Sequence, residues 1–134
     1  MIGSLLYLMT SKPDIAYAVG MCIRFQSNSR VSLLVVVKRI IKYVHGTSDF
    51  GVFYLYDTNS ILVGYCDVDS PSCSEDRKST LGGCFFLGNN LISWFSKKQN
   101  CVCSSRVEAE YIVAGSGYTQ LMWMKQMLNE YGIQ

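Results

Sequence analysis

The side chains best suited to chemistry in this 134-residue chain are six cysteines, one histidine and a scattering of acids and basic pairs. Cys22, Cys66, Cys73, Cys84, Cys101 and Cys103 form no Cys-x-x-Cys pair. The only close spacing is Cys101-x-Cys103, in which alternate strand residues would point the same way, whereas zinc knuckles need wider loops to wrap the ion. Reduced thiols acting as small buried hydrophobes in a reducing compartment are the simpler reading. Arg77-Lys78 and Lys97-Lys98 could contact nucleic-acid phosphates, or be solvated loop charge. His45 has no acid–base or metal partner in its neighbourhood and reads as surface. Taken by type alone, Asp67 is an ordinary carboxylate at a strand end, and Glu110 belongs to a solvated helix face.

Composition bounds the rest. Hydrophobic residues make up 49% and charged residues 16% of the chain, which supports a buried core and excludes a disordered tail. The net charge of +2 supplies no global field for nucleic acid, so any such contact must be local. The apolar start MIGSLLYLM lacks a basic leader and a small-x-small cleavage site and reads as a buried helix turn. No apolar run approaches the ~20 residues that cross a bilayer. The expected setting is intracellular, cytoplasmic or nuclear, with no membrane.

Three groups of elements must position these residues. Asp14 after Pro13 suits a helix start, where a carboxylate answers the orphan amides and the dipole. Leu33, Leu34, Val36, Val37, Ile40, Ile41 and Val44 form a helical stripe with Lys38, Arg39 and Lys42 off it, stopping at Gly46. The period then shortens. Gly51–Tyr56 and Ile61–Cys66 read as strands, the second running into Asp67 and central because it is apolar on both sides of the pleat. Residues 81–87 and 91–96 flank Gly88-Asn89-Asn90 as a hairpin, after a polar loop from Ser70 to Ser79. Ser105-Arg106-Val107-Glu108 matches a capping box that opens a last helix. An interruption is expected near Gly115-Ser116-Gly117, and Leu121, Met124 and Leu128 mark its apolar stripe. The order gives an α+β class, a three-stranded antiparallel sheet with a helix packed across it.

In order along the chain, Gly3-Ser4-Leu5-Leu6-Tyr7-Leu8, Lys12-Pro13-Asp14-Ile15-Ala16-Tyr17, Lys38-Arg39-Ile40-Ile41-Lys42-Tyr43 with Gly46-Thr47, Gly64-Tyr65-Cys66-Asp67-Val68-Asp69, Asp76-Arg77-Lys78-Ser79-Thr80, Ile92-Ser93-Trp94 with Ser96-Lys97-Lys98-Gln99, and Glu108-Ala109-Glu110-Tyr111 resemble the Pol polyprotein of copia-type LTR retrotransposons. The resemblance implies a helical connection segment after a reverse transcriptase core (1–48) and the N-terminal half of a ribonuclease H-like domain (49–134). That family domain cuts the RNA strand of an RNA–DNA hybrid with two Mg²⁺ or Mn²⁺ ions, which activate water and steady the leaving oxygen. The resemblance makes Asp67 the first metal ligand and Glu110 the second, since Glu108 is absorbed by the cap and residues two apart lie about 200° around a helix. Arg77, Lys78, Lys97 and Lys98 could contact the hybrid's phosphates or be solvated loop charge, and the resemblance implies the rest of a Pol polyprotein as a partner.

The departures are specific. Ser70-Pro71-Ser72 stands where the family has Trp-Ala-Gly, and Lys12 where it has arginine, losing fork-type pairing. The strand with the third carboxylate and the helix with the fourth are not in the sequence. The resulting expectation is a truncated fragment, inactive alone, with weak or no metal binding. The alternative is a non-catalytic, domesticated or effector-like binding protein of the same origin, although no Arg-x-Leu-Arg motif is present.

Overall fold

The structure is a computed structural model and describes residues 2–27, 31–69, 79–99 and 105–133. The described elements are α1 (Ile2–Met9), a 3-10 turn (Pro13–Ile15), α2 (Ala16–Arg24), α3 (Val31–Gly46), β1 (Leu62–Asp69), β2 (Thr80–Leu87), β3 (Asn90–Lys98) and α4 (Arg106–Glu130). This is an α+β protein, and it divides into two compact units, Met1–Val52 and Phe53–Gln134.

In the first unit, Leu5, Ile15, Val19, Cys22, Val37 and Ile40 form one buried cluster, with Leu33 and Val44 packed against it. The spacing 33, 37, 40, 44 is the seam of α3, so Lys38, Arg39 and Lys42 fall on its exposed side as the periodicity predicts. The expected stripe is narrower than its sequence suggested, because Leu34, Val36 and Ile41 are exposed. Likewise α1 buries only Leu5, leaving Leu6 and Tyr7 in solvent.

Polar contacts lock this cluster. The Lys12 ammonium donates to the carbonyls of Thr47, at 2.8 Å, and Phe50, at 3.0 Å, just past the end of α3. A cation suits that place because the helix dipole leaves its C-terminus negative. Asp14, expected to cap a helix start, instead accepts a short hydrogen bond from the Tyr43 hydroxyl of α3. No side chain caps α2.

The second unit holds a three-stranded antiparallel sheet in the order β1-β2-β3. A two-residue turn, Gly88-Asn89, joins β2 to β3, and Gly88 has φ +59°, a conformation that L side chains rarely adopt. Two expectations fail here. Gly51–Tyr56 is not a strand, because the Asn90 side chain takes up the backbone of Leu55: Leu55 N–H donates to Oδ1 at 2.7 Å and Nδ2 donates to the Leu55 carbonyl at 2.9 Å. Nor is β1 central. Among the described residues β2 is, and Phe85 at its middle is fully buried while Tyr65 of β1 is exposed.

Alternation along the paired strands decides which residues meet α4. Gly64, Cys66 and Val68 face it, as do Leu81, Gly83 and Phe85 on β2. From α4, Ala109, Val113 and Gly117 come down onto this face at four-residue spacing, and Leu121 continues the row over Gly64. The expected interruption at Gly115–Gly117 does not occur; α4 runs unbroken through it. Gly117 has another task. A Cβ there would overlap the Cys66 Sγ, so the glycine lets helix and strand approach closely. The helix ends in a Schellman arrangement, with Gly132 at φ +73°, Ile133 N–H donating to the Leu128 carbonyl and Gly132 N–H to the Asn129 carbonyl, each at 3.0 Å.

Two outcomes are expected. Gly117→Val should cost about 2–3 kcal/mol in urea unfolding through overpacking, and Cys66→Ala should recover part of it in a double-mutant cycle. In the first unit, the hydrogen bond to Asp14, with some loss of water and the carboxylate charge, raises the Tyr43 pKa above the ordinary 10.0. The stability it contributes is therefore full below the unfolded value of 10.0 and is lost as pH rises through the higher folded one. Subtracting the Tyr43→Phe absorbance titration at about 295 nm from that of the parent should reveal one late-titrating phenol; a midpoint at or below the free value would refute the contact.

Candidate metal centre and nucleic-acid residues

Asp67 lies near the end of β1, between two residues that face α4. Strand alternation therefore turns its own side chain to the opposite face of the sheet, where it is exposed. Its Oδ1 accepts from the Val68 backbone N–H at 2.8 Å. Tyr65 shares that outward face, edge-on to Phe86 with ring centroids 6.0 Å apart.

Glu110 is set by the start of α4. The Ser105 hydroxyl accepts from the Glu108 backbone N–H at 3.2 Å, the expected cap. Ala109, between the two glutamates, packs with Val68, Leu81 and Val113. With about 100° between successive residues, Glu108 and Glu110 leave the helix on opposite flanks of that contact. Glu110 is exposed, and its Oε1 accepts from the Arg106 guanidinium at 3.0 Å, one turn back on the same helix.

Helix and strand thus bring the immediate neighbours of the two carboxylates together, Val68 against Ala109, but no hydrogen bond or ion pair joins Asp67 to Glu110. Among the described residues no group of three or more His, Cys, Asp or Glu side chains could hold a metal ion. Among the described residues, Glu110 answers a guanidinium and Asp67 a backbone amide.

The basic candidates divide. Arg77 and Lys78 lie outside the described residues, as do Cys73, Cys101 and Cys103. Lys97 and Lys98 are successive residues of β3, so they leave the sheet on opposite faces and make no single patch. Lys97 is exposed; Lys98 is half-buried and engaged. His45 is exposed, and Cys22, Cys66 and Cys84 are free thiols. Burial pushes the Cys66 thiol up from its ordinary 9.0, and the neighbouring Cys84 adds to the effect. No helix among the described residues is long and apolar enough to cross a membrane.

Sequence reasoning missed Arg106, the partner of Glu110, although arginine four residues before a glutamate on one helix is a recognisable pair. It also missed Gly117, whose place in the row 109, 113, 117, 121 was the available signal.

With this geometry in view, the known proteins most informative about the chain are transposon polyproteins. It is 39% identical over 137 residues to the retrovirus-related Pol polyprotein from transposon TNT 1-94 of Nicotiana tabacum, a match covering 98% of this chain and 10% of that protein. It is 37% identical over 133 residues to the corresponding polyprotein from transposon RE1 of Arabidopsis thaliana, covering 99% of this chain and 9% of that protein. A third relative is secreted RxLR effector protein 161 of Plasmopara viticola, 34% identical over 124 residues, 92% of this chain and 87% of that one. No family model matches and no solved structure matches. Sequence similarity relates the chain to one segment of transposable-element polyproteins. The chain belongs to the retrovirus-related Pol polyproteins of copia-type retrotransposons, and it spans about a tenth of the length of the transposon polyproteins it matches.

Metal titration tests the site directly. Mn²⁺ should bind no tighter than the millimolar range, as about expected where an ion keeps most of its water, and Asp67→Asn should leave the isotherm unchanged. A micromolar site lost in that variant would mean the carboxylates converge after all.

Proposed function

We propose that residues 49–134 derive from a ribonuclease H-like domain, that Asp67 and Glu110 occupy the positions of two of its metal-binding carboxylates, and that this chain by itself does not cleave RNA–DNA hybrids. One observation supports the reading: the strand that carries Asp67 near its end and the helix that carries Glu110 in its second turn pack directly on each other through Val68, Ala109 and Val113. That order and contact are what the resemblance requires of a first strand and first helix. The inactivity follows from charge. Mg²⁺ and Mn²⁺ are hard cations that need several converging oxygen ligands, and two ions flanking a phosphate need more anions than a pair. Two dispersed carboxylates, one already opposed by Arg106, supply too few.

Hybrid recognition is correspondingly weak in this reading. Lys97 and Lys98 on opposite faces cannot track one phosphate strand together, so binding rests on isolated charges, and its salt dependence is correspondingly shallow. The remainder of a Pol polyprotein is the partner that would complete the site.

A second reading has one observation in its favour. A relative named as a secreted effector is matched over 87% of its own length. A non-catalytic binding role for this chain is the form that reading takes.

The deciding assay is cleavage of a labelled RNA–DNA hybrid by the purified chain with Mg²⁺ or Mn²⁺. Product formation should stay at the level of the Asp67→Asn variant. Turnover abolished by Asp67→Asn or Glu110→Gln would overturn the proposal of an inactive chain while supporting the assignment of the two carboxylates.

A further inference from the structure

The first unit carries positive charge that its own contacts leave unanswered. Residues 1–52 hold six Lys and Arg against two Asp, a net +4, although the whole chain carries only +2. Three of those cations, Lys38, Arg39 and Lys42, lie on α3, and α3 contains no acid. Arg39 therefore has no carboxylate one turn away on its own helix to pair with. Among the described residues its guanidinium makes no hydrogen bond and no ion pair.

Arg39 stands on the rim of an open groove of about 330 Å³, between α3 on one side and the Pro13–Ile15 turn with α2 on the other. Its floor is apolar. Ile15 and Ile40 are buried at its base, and Ala18 and Val36 line it further. Ala18, with a single methyl, leaves open the space that a longer side chain would fill. From Val36 to Tyr43 the α3 wall extends for about 10 Å at 1.5 Å per residue. The one acid on the groove, Asp14, already accepts from the Tyr43 hydroxyl, a contact that ties the two walls together. Arg39 is the charge left over.

We propose that this groove binds a small hydrophobic monocarboxylate of the medium-chain fatty-acid kind, its carboxylate on the Arg39 guanidinium and its chain along Ile15, Ala18, Val36 and Ile40. Charge and surface together select this class. A guanidinium offers two parallel N–H donors that match the plane of a carboxylate. An inorganic anion or a phosphate strand would use Arg39 and leave the apolar floor in water. An amphiphile with a cationic head would meet Arg39 with like charge. The volume lies at the low end of the range for ligand pockets, about 300–1,000 Å³, which restricts the ligand to a small one. An open groove of this size implies a dissociation constant on the order of 1 mM. The inference goes beyond the proposed ancestry and does not depend on it.

The test is a titration of the full ¹⁵N-labelled chain with sodium decanoate, followed through its amide NMR shifts. Saturable shifts should appear at Ala18, Val36, Arg39 and Ile40, while the amides of α4 stay in place. Arg39→Gln, a change at an exposed position, should weaken binding about fivefold or more, the loss of one charge-assisted contact. Lys38→Gln removes the same charge about 100° around the helix, off the groove, and should leave the affinity unchanged. Ala18→Phe should abolish binding by filling the groove, and decyltrimethylammonium should bind more weakly than decanoate. Shifts that are absent or fail to saturate overturn the proposal. So does an equal response to Arg39→Gln and Lys38→Gln, which would mean diffuse charge. Inorganic phosphate or acetate reproducing the decanoate shifts at equal affinity would also overturn it, because the apolar floor would then contribute nothing. None of these results bears on hybrid cleavage, so the two readings fail separately.

Discussion

The second unit depends on one close approach, that of α4 to β1 where Gly117 meets Cys66. A side chain at that point would hold the helix away from the sheet. The glycine lets Ala109 and Val113 reach Val68 and Leu81 at one end, and Leu121 reach Gly64 beside Phe85 at the other. Interiors are packed as densely as organic crystals, so a helix seated on small residues cannot slide without opening voids or forcing overlap. The seat therefore fixes both the height and the phase of α4. Phase decides that Glu110 leaves on the flank and Ala109 faces inward; the strand's alternation decides that Asp67 points away. The positions of both candidate carboxylates follow from a contact that involves neither.

The first unit is held by a different device with the same result. Lys12 and Asp14 reach across to the end of α3, one to a pair of main-chain carbonyls and the other to Tyr43. The stretches Lys12–Tyr17 and Lys38–Thr47, which carry two parts of the resemblance, therefore touch in space. This explains why lysine serves at position 12, where the resemblance leads one to expect arginine. A guanidinium fork is valuable against a planar carboxylate or phosphate. The separate carbonyl targets of Thr47 and Phe50 beyond the helix end present no such plane, and the three donors of an ammonium satisfy both.

Much of the architecture was legible because local chemistry and tertiary demand agree. The seam of α3, the Gly88-Asn89 turn, the Ser105 cap and the Gly132 exit each rest on one residue type doing what its backbone or side chain favours. Where they disagree, the sequence misleads. Phe53 to Tyr56 has strong strand propensity, yet strand propensity measures fit to a pleated neighbour, and the backbone there is claimed by the Asn90 side chain. Gly115 and Gly117 look alike as helix breakers. Only Gly117 faces another element, and nothing in a one-dimensional string distinguishes it except its phase relative to Ala109 and Val113. Asp67 and Glu110 were named through family resemblance; by residue type alone they are an acid at a strand end and an acid on a helix.

The way these two acids are satisfied bears on what the segment can do. A metal centre holds carboxylates together against their mutual repulsion, and the ion that relieves it is part of the design. Such a site is strained when stripped of its cation and has every reason to bind one. Here the opposite holds. Arg106 answers Glu110 from the same helix turn, and the Val68 amide answers Asp67 from the next residue. Each partner is local and does not depend on the tertiary fold, so no electrostatic debt is left for a cation to settle. Drawing the acids into a metal centre would mean breaking the Arg106 pair and adding further anionic ligands. The packing through Gly117 and Val68 thus places both acids, while local partners, Arg106 and the Val68 amide, satisfy them.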